Sequence, residues 1–127
     1  MSHPSVKGVA IYPDKRVEHV TLNGLADYQT IVDGNIEPVT LSDRSTMYVN
    51  EEFLYKFVDA DGNIDVPKHF NSIAGDVCGL GGMPHLMMTG ILGPVVVVGP
   101  VDGRGYDKDV TDKALGWIQR VAREAQL

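Results

Sequence analysis

The stretch GPVVVVGP, residues 93–100, decides the fold of this chain. Its centre, Val95–Val98, is a run of β-branched residues without a polar position, and Gly and Pro close it on both sides. A continuous apolar run is typical of a strand covered on both faces, because a strand with one face in water alternates apolar and polar residues. We therefore predict that Val95–Val98 is the central strand of a sheet.

Two pairs of β-rich segments precede this strand and supply its neighbours. A polar turn of four residues separates the members of each pair: Val6–Tyr12 from Val17–Leu22, and Asn35–Leu41 from Thr46–Val49. This pattern predicts two hairpins. Pro38 has no amide donor, so we place its strand at a sheet edge or at a bulge.

Helical periodicity is strongest near the C-terminus, where Thr111 is the predicted N-cap. The apolar positions then repeat on one stripe: Ala114, Leu115, Ile118, Val121, Ala122 and Ala125. Asp112 lies in the first turn and Arg123 in the last, an order that complements the helix dipole. The pattern predicts an amphipathic helix whose stripe packs on the sheet.

Two shorter helices are predicted earlier in the chain. Asn23 is the expected N-cap of the first, and Gly34 is its expected stop. Its apolar positions repeat at offsets of three and four: Leu25, Tyr28, Ile31 and Val32. Of these, Leu25, Tyr28 and Val32 are expected to face the sheet. Pro67 opens the second, which extends to Ala74. The order of elements predicts a single α+β domain, residues 1–127, with a mixed, mostly antiparallel sheet and helices on one face.

Charge and cysteine content exclude several classes of protein. The chain has a formal net charge of −6 and one cysteine, Cys78. A single cysteine cannot form an internal disulfide, and the acidic balance disfavours contact with phosphate, so no nucleic acid partner is expected. The apolar runs are far shorter than the ~20 residues of a membrane helix. Met1–Val9 lacks the pattern of a signal peptide, so we expect a cytoplasmic protein without a membrane partner.

Four short stretches resemble a known family in content, order and spacing. They are Tyr28–Glu37 (YQTIVDGNIE), Tyr48–Glu52 (YVNEE), Asn71–Ala74, and Ile91–Gly99, which ends in GPVVVVG. Together they resemble DUF3846, a domain of unknown function found in bacteriophages and actinobacteria. The resemblance implies a phage or prophage context, and hence the cytoplasm of a host cell, but it supplies no activity.

Polar residues at the end of a predicted strand are the first candidate binding groups. Asn50 and Glu51 belong to the best-matching polar motif and follow such a strand, where binding groups are often found. Arg104 is a further candidate, since Gly103 and Gly105 on either side would let the backbone form an anion-binding nest. A plain surface turn is the alternative for that segment.

The segment Gly75–Gly93 is predicted to be a long loop with six glycines. Loops of this length without secondary structure are typically functional or mobile, and methionine side chains adapt to partners. We therefore select it as the candidate binding surface, with these residues as contacts: Gly81, Gly82, Met83 and Met87. The alternative is that its apolar side chains cap the core beside Val95–Val98.

Catalytic and metal-binding patterns in the sequence are incomplete. Cys78 and His85 share the predicted loop but have no visible orienting group, so a nucleophilic pair is not supported. Asp59–Asp65 spaces oxygen ligands two residues apart, as calcium loops do, but Phe70 stands at position twelve of the loop pattern instead of Glu. We expect no metal, no cofactor and no enzymatic activity.

Two functional hypotheses follow. The first is a small non-catalytic accessory protein of phage type, which binds a host or phage protein or associates with itself. The second is a small-molecule or nucleotide binder that uses the glycine-rich segment with Arg104, near Asn50 and Glu51. The second requires these polar groups to converge on one cleft, and the first does not.

The melting temperature should be the same in calcium and in a chelator. Binding at a hundred times the dissociation constant would add about 2.7 kcal/mol of stability, which calorimetry detects readily. A rise of the melting temperature in calcium would instead assign a cation to Asp59–Asp65.

Overall fold

A computed structural model describes residues 5–52, 61, 69–84 and 90–126 of the chain. Within these residues it contains five strands and three helices in this order: β1 (Val6–Ile11), β2 (Val17–Leu22), α1 (Leu25–Val32), β3 (Ile36–Thr40), β4 (Thr46–Asn50), α2 (Ser72–Leu80), β5 (Val95–Val98) and α3 (Asp112–Ala125). The strands form one sheet in the order β2-β1-β5-β4-β3, and every neighbouring pair is antiparallel. The predicted α+β class is confirmed.

The valine strand β5 lies at the centre of the sheet, as predicted. Val97 pairs with Val9 of β1 on one side and with Met47 of β4 on the other. All four valines of β5 have 0% exposure, which confirms that the strand is covered on both faces. Pro38 lies on β3, an edge strand, so the prediction from its missing amide donor is also confirmed.

Helices cover both faces of the sheet, so the prediction of helices on one face is wrong. On one face, α2 and α3 pack on a cluster that includes Val9, Met47, Val95 and Val97. On the other face, α1 places Tyr28 against Val96 and Val98. The physical reason is the valine strand itself, because each of its faces needs an apolar cover. The valine run in the sequence already implies a cover on both faces, whereas the predicted arrangement placed helices on only one.

Helix α1 begins and ends differently from the prediction. Gly24, not Asn23, is the N-cap residue, and the backbone N–H of Asn23 donates to Oδ2 of Asp27 at 2.8 Å. At the other end Asp33 adopts the left-handed conformation, with φ of 61°, one residue before the predicted stop. Tyr28 and Val32 are buried as predicted, whereas Leu25 is 57% exposed.

Helix α2 occupies part of the segment that was predicted to be a loop. Gly75–Leu80 is helical, and among the described residues of Gly75–Gly93 only 81–83 and 90–93 lie outside a helix or strand. The predicted start at Pro67 lies outside the described residues, and Asn71 is the N-cap. Glycine disfavours helices by about 1 kcal/mol each. Burial of Ile73, Val77 and neighbouring residues on the sheet outweighs that cost.

The N-cap residue Asn71 is completely buried and links three parts of the fold. Its Nδ2 donates to the carbonyl oxygens of Ile11 at 3.0 Å and Gly93 at 2.9 Å, and its Oδ1 accepts from the N–H of Ala74 at 3.1 Å. One side chain therefore joins the end of β1, the start of α2 and the approach to β5.

The predicted cap of α3 is confirmed and has a second role. Oγ1 of Thr111 accepts from the N–H of Ala114 at 3.0 Å and donates to Oδ2 of Asp43 at 2.6 Å. Burial alone would raise the pKa of the Asp43 carboxyl, but hydrogen bonds from Thr111 and Ser45 outweigh it and hold that pKa below its usual value. The cap thus connects α3 to the β3–β4 turn.

The described helices are too short or too polar to cross a membrane.

The longest described helix, α3, buries only part of its surface: Ala114, Ile118 and Val121. Leu115 is half-buried and packs at the margin of the core, so it is a weaker contact than the sequence indicated.

Ile118→Ala should lower the free energy of unfolding by about 2–5 kcal/mol, because the side chain is fully packed against the sheet. Arg123→Ala, on the exposed side of the same helix, is the control and should change it by less than about 0.5 kcal/mol. Urea denaturation measures both. Equal effects of the two changes would contradict the observed packing of α3.

Candidate functional site

Two tyrosines and one aspartate meet on the α1 face of the sheet. Tyr28 comes from α1, Tyr48 from β4, and Asp107 from the segment between β5 and α3. The Tyr28 hydroxyl donates to Oδ2 of Asp107 at 2.9 Å, and the Tyr48 hydroxyl lies 2.8 Å from Oδ1 and 3.0 Å from Oδ2. We call these three residues the Tyr–Asp–Tyr cluster.

The two rings of this cluster are held in a fixed arrangement. Their centroids are 5.1 Å apart and the ring planes are inclined at 72°, an edge-to-face contact. This geometry is favourable for aromatic pairs. Tyr28 is only 6% exposed, because it projects from α1 onto the sheet and packs in a cluster with the valines of β5. The rings therefore form a rigid wall with both hydroxyls turned to the same carboxylate.

Burial and the Asp107 carboxylate keep both phenols protonated. The pKa of Tyr28 and that of Tyr48 are raised far above the usual value, first by burial and then by the hydrogen bond to Asp107. A phenolate beside Asp107 would place two negative charges together. Both hydroxyls thus act as hydrogen-bond donors and not as bases near neutral pH.

A cavity of about 230 Å³ opens beside the cluster, and we call it the α1 cavity. The walls are mainly apolar, and the cluster supplies the polar end. The described lining residues are Val6, Leu22, Gly24, Leu25, Tyr28, Ile36, Tyr48, Gly105, Tyr106 and Asp107. A Cβ atom on Gly24 or Gly105 would meet nothing within 4 Å, so these two residues leave the mouth open.

The turn that precedes Asp107 is fixed by another carboxylate. Oδ1 of Asp102 accepts from the N–H of Arg104 at 2.8 Å and of Tyr106 at 3.0 Å. These hydrogen bonds, that from Tyr106 first, hold the pKa of Asp102 below its usual value. The amide of Arg104 is therefore not available for an external anion, and the predicted anion nest is already filled by the chain's own side chain.

The predicted binding residue Asn50 is a buried structural group in this fold. Its Nδ2 donates to the carbonyl oxygens of Val32 and Asp33, both at 3.1 Å, and its Oδ1 accepts from the N–H of Glu52 at 2.8 Å. A Cβ on Gly34 would lie 2.6 Å from that Nδ2, so a larger residue at position 34 would displace the Asn50 side chain. Asn50 closes the end of α1, and the adjacent Glu51 is exposed.

The predicted glycine contacts, Gly81 and Gly82, lie at the opposite end of the β3–β4 hairpin. The carbonyl oxygen of Gly81 accepts from the N–H of Ser42 at 2.8 Å, and Gly82 faces the Ser42 side chain. Met83 is half-buried and packs against the core, which matches the alternative of a core cap. Met87 and His85 lie outside the described residues.

The described members of the predicted site do not converge on one cleft. Asn50 ends β4 and Glu51 follows it, whereas Gly81 and Gly82 contact the turn that precedes the strand, so the length of β4 separates the two groups. Arg104 lies beside Gly105 at the α1 cavity. The structure therefore brings together a different set of residues from the one selected in the sequence.

No local signal in the sequence connects the members of the Tyr–Asp–Tyr cluster. Tyr28 and Tyr48 both lie in the stretches that resemble a family, but Asp107 lies in a polar turn that resembles many others. The pairing depends on which face of β4 meets α1, and that is a tertiary property. Alternation along β4 places Tyr48 on the other face of the sheet from Met47 and Val49. This alternation was the one sequence signal for the position of Tyr48.

Comparison with known proteins identifies the family of this chain. Residues 6–123 match the family described as Domain of unknown function (DUF3846), and the chain belongs to that family. The first hairpin and most of α3, which the quoted stretches did not include, are part of the match. No curated protein and no solved structure matches the chain.

The Tyr–Asp–Tyr cluster should make the free energy of unfolding depend on pH in the alkaline range. Since the folded pKa values of both tyrosines lie above the ordinary value of about 10, their contribution is complete below that pH and is lost as pH rises through the folded values. Tyr48→Phe should cost about 1–3 kcal/mol near neutral pH.

The difference in free energy of unfolding between wild type and Tyr48→Phe should then shrink above about pH 10. Urea denaturation at a series of pH values, followed by Trp117 fluorescence, measures it. Parallel pH profiles for the two proteins would contradict the assigned role of the hydroxyl.

Proposed function

We propose that this protein acts by binding, without catalysis, and that its ligand occupies the α1 cavity. The observation that carries the proposal is the Tyr–Asp–Tyr cluster at the end of an otherwise apolar cavity. Small-molecule sites are typically apolar spaces with a few fixed polar groups that orient the ligand. The open mouth beside Gly24 and Gly105 gives access from solvent.

The chemistry of the site supports binding more than reaction. Both phenols are held protonated and committed to Asp107, so neither is available as a base or nucleophile. Cys78 is completely buried on the other face of the sheet, where burial raises the pKa of its thiol to about 11. A thiol in that state is a packing group.

The size of the cavity favours a small ligand over a protein surface. About 230 Å³ is below the roughly 300–1,000 Å³ of pockets that hold drug-sized molecules. The surface first selected for a protein partner has less support, because Gly75–Leu80 is helical and Met83 packs on the core. A phage-type accessory role in a host cytoplasm remains part of the proposal and rests on the family resemblance.

Leu25→Trp should block the cavity without unfolding the protein. Leu25 lines the mouth and is 57% exposed, so the larger side chain covers the opening while stability changes by less than about 0.5 kcal/mol. Leu80→Trp is the matched control, since Leu80 is 38% exposed at the end of α2 on the opposite face.

Nuclear magnetic resonance with a library of small fragments tests the proposal. Fragments should shift the amide resonances of Gly24 and Gly105 in wild type and in Leu80→Trp, and not in Leu25→Trp. A library that leaves these resonances unmoved in wild type, or that binds Leu25→Trp equally well, would refute a ligand site in the α1 cavity.

A further inference from the structure

We infer that the α1 cavity selects a small organic cation, a protonated amine carried on a short apolar stem. The inference rests on the proposed binding function and names the ligand chemistry of the same site. It follows from the charge, the hydrogen-bonding capacity, the aromatic wall and the size of the cavity.

Asp107 gives the cavity an unbalanced negative charge. It is the one carboxylate among the described lining residues, which include no Lys or Arg. Among the residues that the structure describes, no basic side chain forms an ion pair with it. A half-buried carboxylate beside apolar walls has lost part of its hydration, so a cation that enters the cavity restores a favourable interaction.

Within the described part of the chain, the carboxylate also has unused hydrogen-bonding capacity. Two oxygens offer about four acceptor positions, and the two tyrosine hydroxyls supply one proton each. The remaining positions accept N–H donors, and an ammonium group carries three. Because the hydroxyls point at Asp107, they fix the orientation of the carboxylate before a ligand arrives, which lowers the cost of binding.

The walls complete a site for a cation with an apolar stem. The rings of Tyr28 and Tyr48 line the cavity, and an aromatic face attracts a positive charge that lies within about 6 Å of its centre. Val6, Leu22 and Ile36 offer only apolar contacts to the rest of the ligand. The volume admits a single amine with a ring or short chain, or one basic side chain.

An anion is the chief competing ligand class, because the N-terminus of α1 lies at the mouth. That end carries a partial positive charge. However, the carboxylate of Asp27 lies in the first turn of α1 and accepts from the N–H of Asn23 at 2.8 Å, which offsets the charge within the chain. An anion inside the cavity would then face Asp107, so the balance favours a cation.

Three probes of matched shape and different charge test the inference: phenethylamine, 2-phenylethanol and 3-phenylpropionate. At neutral pH the amine should bind wild type about tenfold more tightly than the alcohol, as expected for one charge-assisted interaction, and the carboxylate should bind most weakly. Shifts of the Gly24 and Gly105 amide resonances measure each affinity and its place. Added salt should weaken binding of the amine and leave the affinity for the alcohol unchanged.

Asp107→Asn separates charge from shape. The asparagine still offers an oxygen to a tyrosine hydroxyl, so the cavity keeps its form while the ratio of amine to alcohol affinity should fall from about ten to about one. Asp76→Asn removes a carboxylate from the exposed side of α2 and should leave the ratio unchanged. The salt series on wild type decides the question if Asp107→Asn fails to fold.

Nα-acetyl-lysine amide distinguishes the two sources of such a cation. Binding like that of phenethylamine supports a lysine side chain of a partner, and weak binding beside tight phenethylamine binding supports a free amine. Equal affinity for amine and alcohol in wild type would overturn cation selection while the cavity remains a binding site. No resonance shift with any probe would overturn the inference, and the fragment library then judges the proposed function separately.

Discussion

The fold depends on one constraint, which is that the valine strand at the centre of the sheet must be kept from water on both faces. The side chains of Val95 and Val97 project to one face, and those of Val96 and Val98 to the other. Neither face can be left open, because each buried valine contributes about 1.5–3 kcal/mol relative to exposure. Helices α2 and α3 cover the first face and α1 the second. Because α1 covers the second face, it places Tyr28 beside Tyr48. The candidate site is therefore a consequence of burying the valine strand.

Two buried asparagines solve the same problem at two corners of the sheet. Asn71 and Asn50 each donate both amide protons of the side chain to backbone carbonyls and accept an amide hydrogen bond in return. A helix meets a strand at each corner, where regular ladders stop and backbone groups would otherwise be buried without partners. In a sequence, polar residues in such positions resemble binding groups, although their hydrogen-bonding groups are already occupied within the fold.

Local chemistry made the strands, the edge position of Pro38 and the Thr111 cap predictable. Those features depend on a few adjacent residues: a run of valines, a missing amide, a hydroxyl before an amphipathic stripe. The helical part of Gly75–Gly93 was not predictable, because tertiary burial of Ile73 and Val77 overcame a glycine-rich composition. The site was hardest, since Asp107 reaches its tyrosines only through packing. Asn50 was identified as important for the wrong reason.

The strand order also sets the sequence of events while the chain is being synthesised. The hairpins β1–β2 and β3–β4 are each complete within a short length of chain, but their common neighbour β5 is made much later. Until then the inner edges of β1 and β4 expose unpaired amides and carbonyls, which are templates for joining strands of other molecules. Closure of the sheet must wait for contacts between residues as distant as Ile11 and Val95, and such non-local closure slows folding. The nascent protein is thus most prone to aggregate just before its most apolar segment emerges.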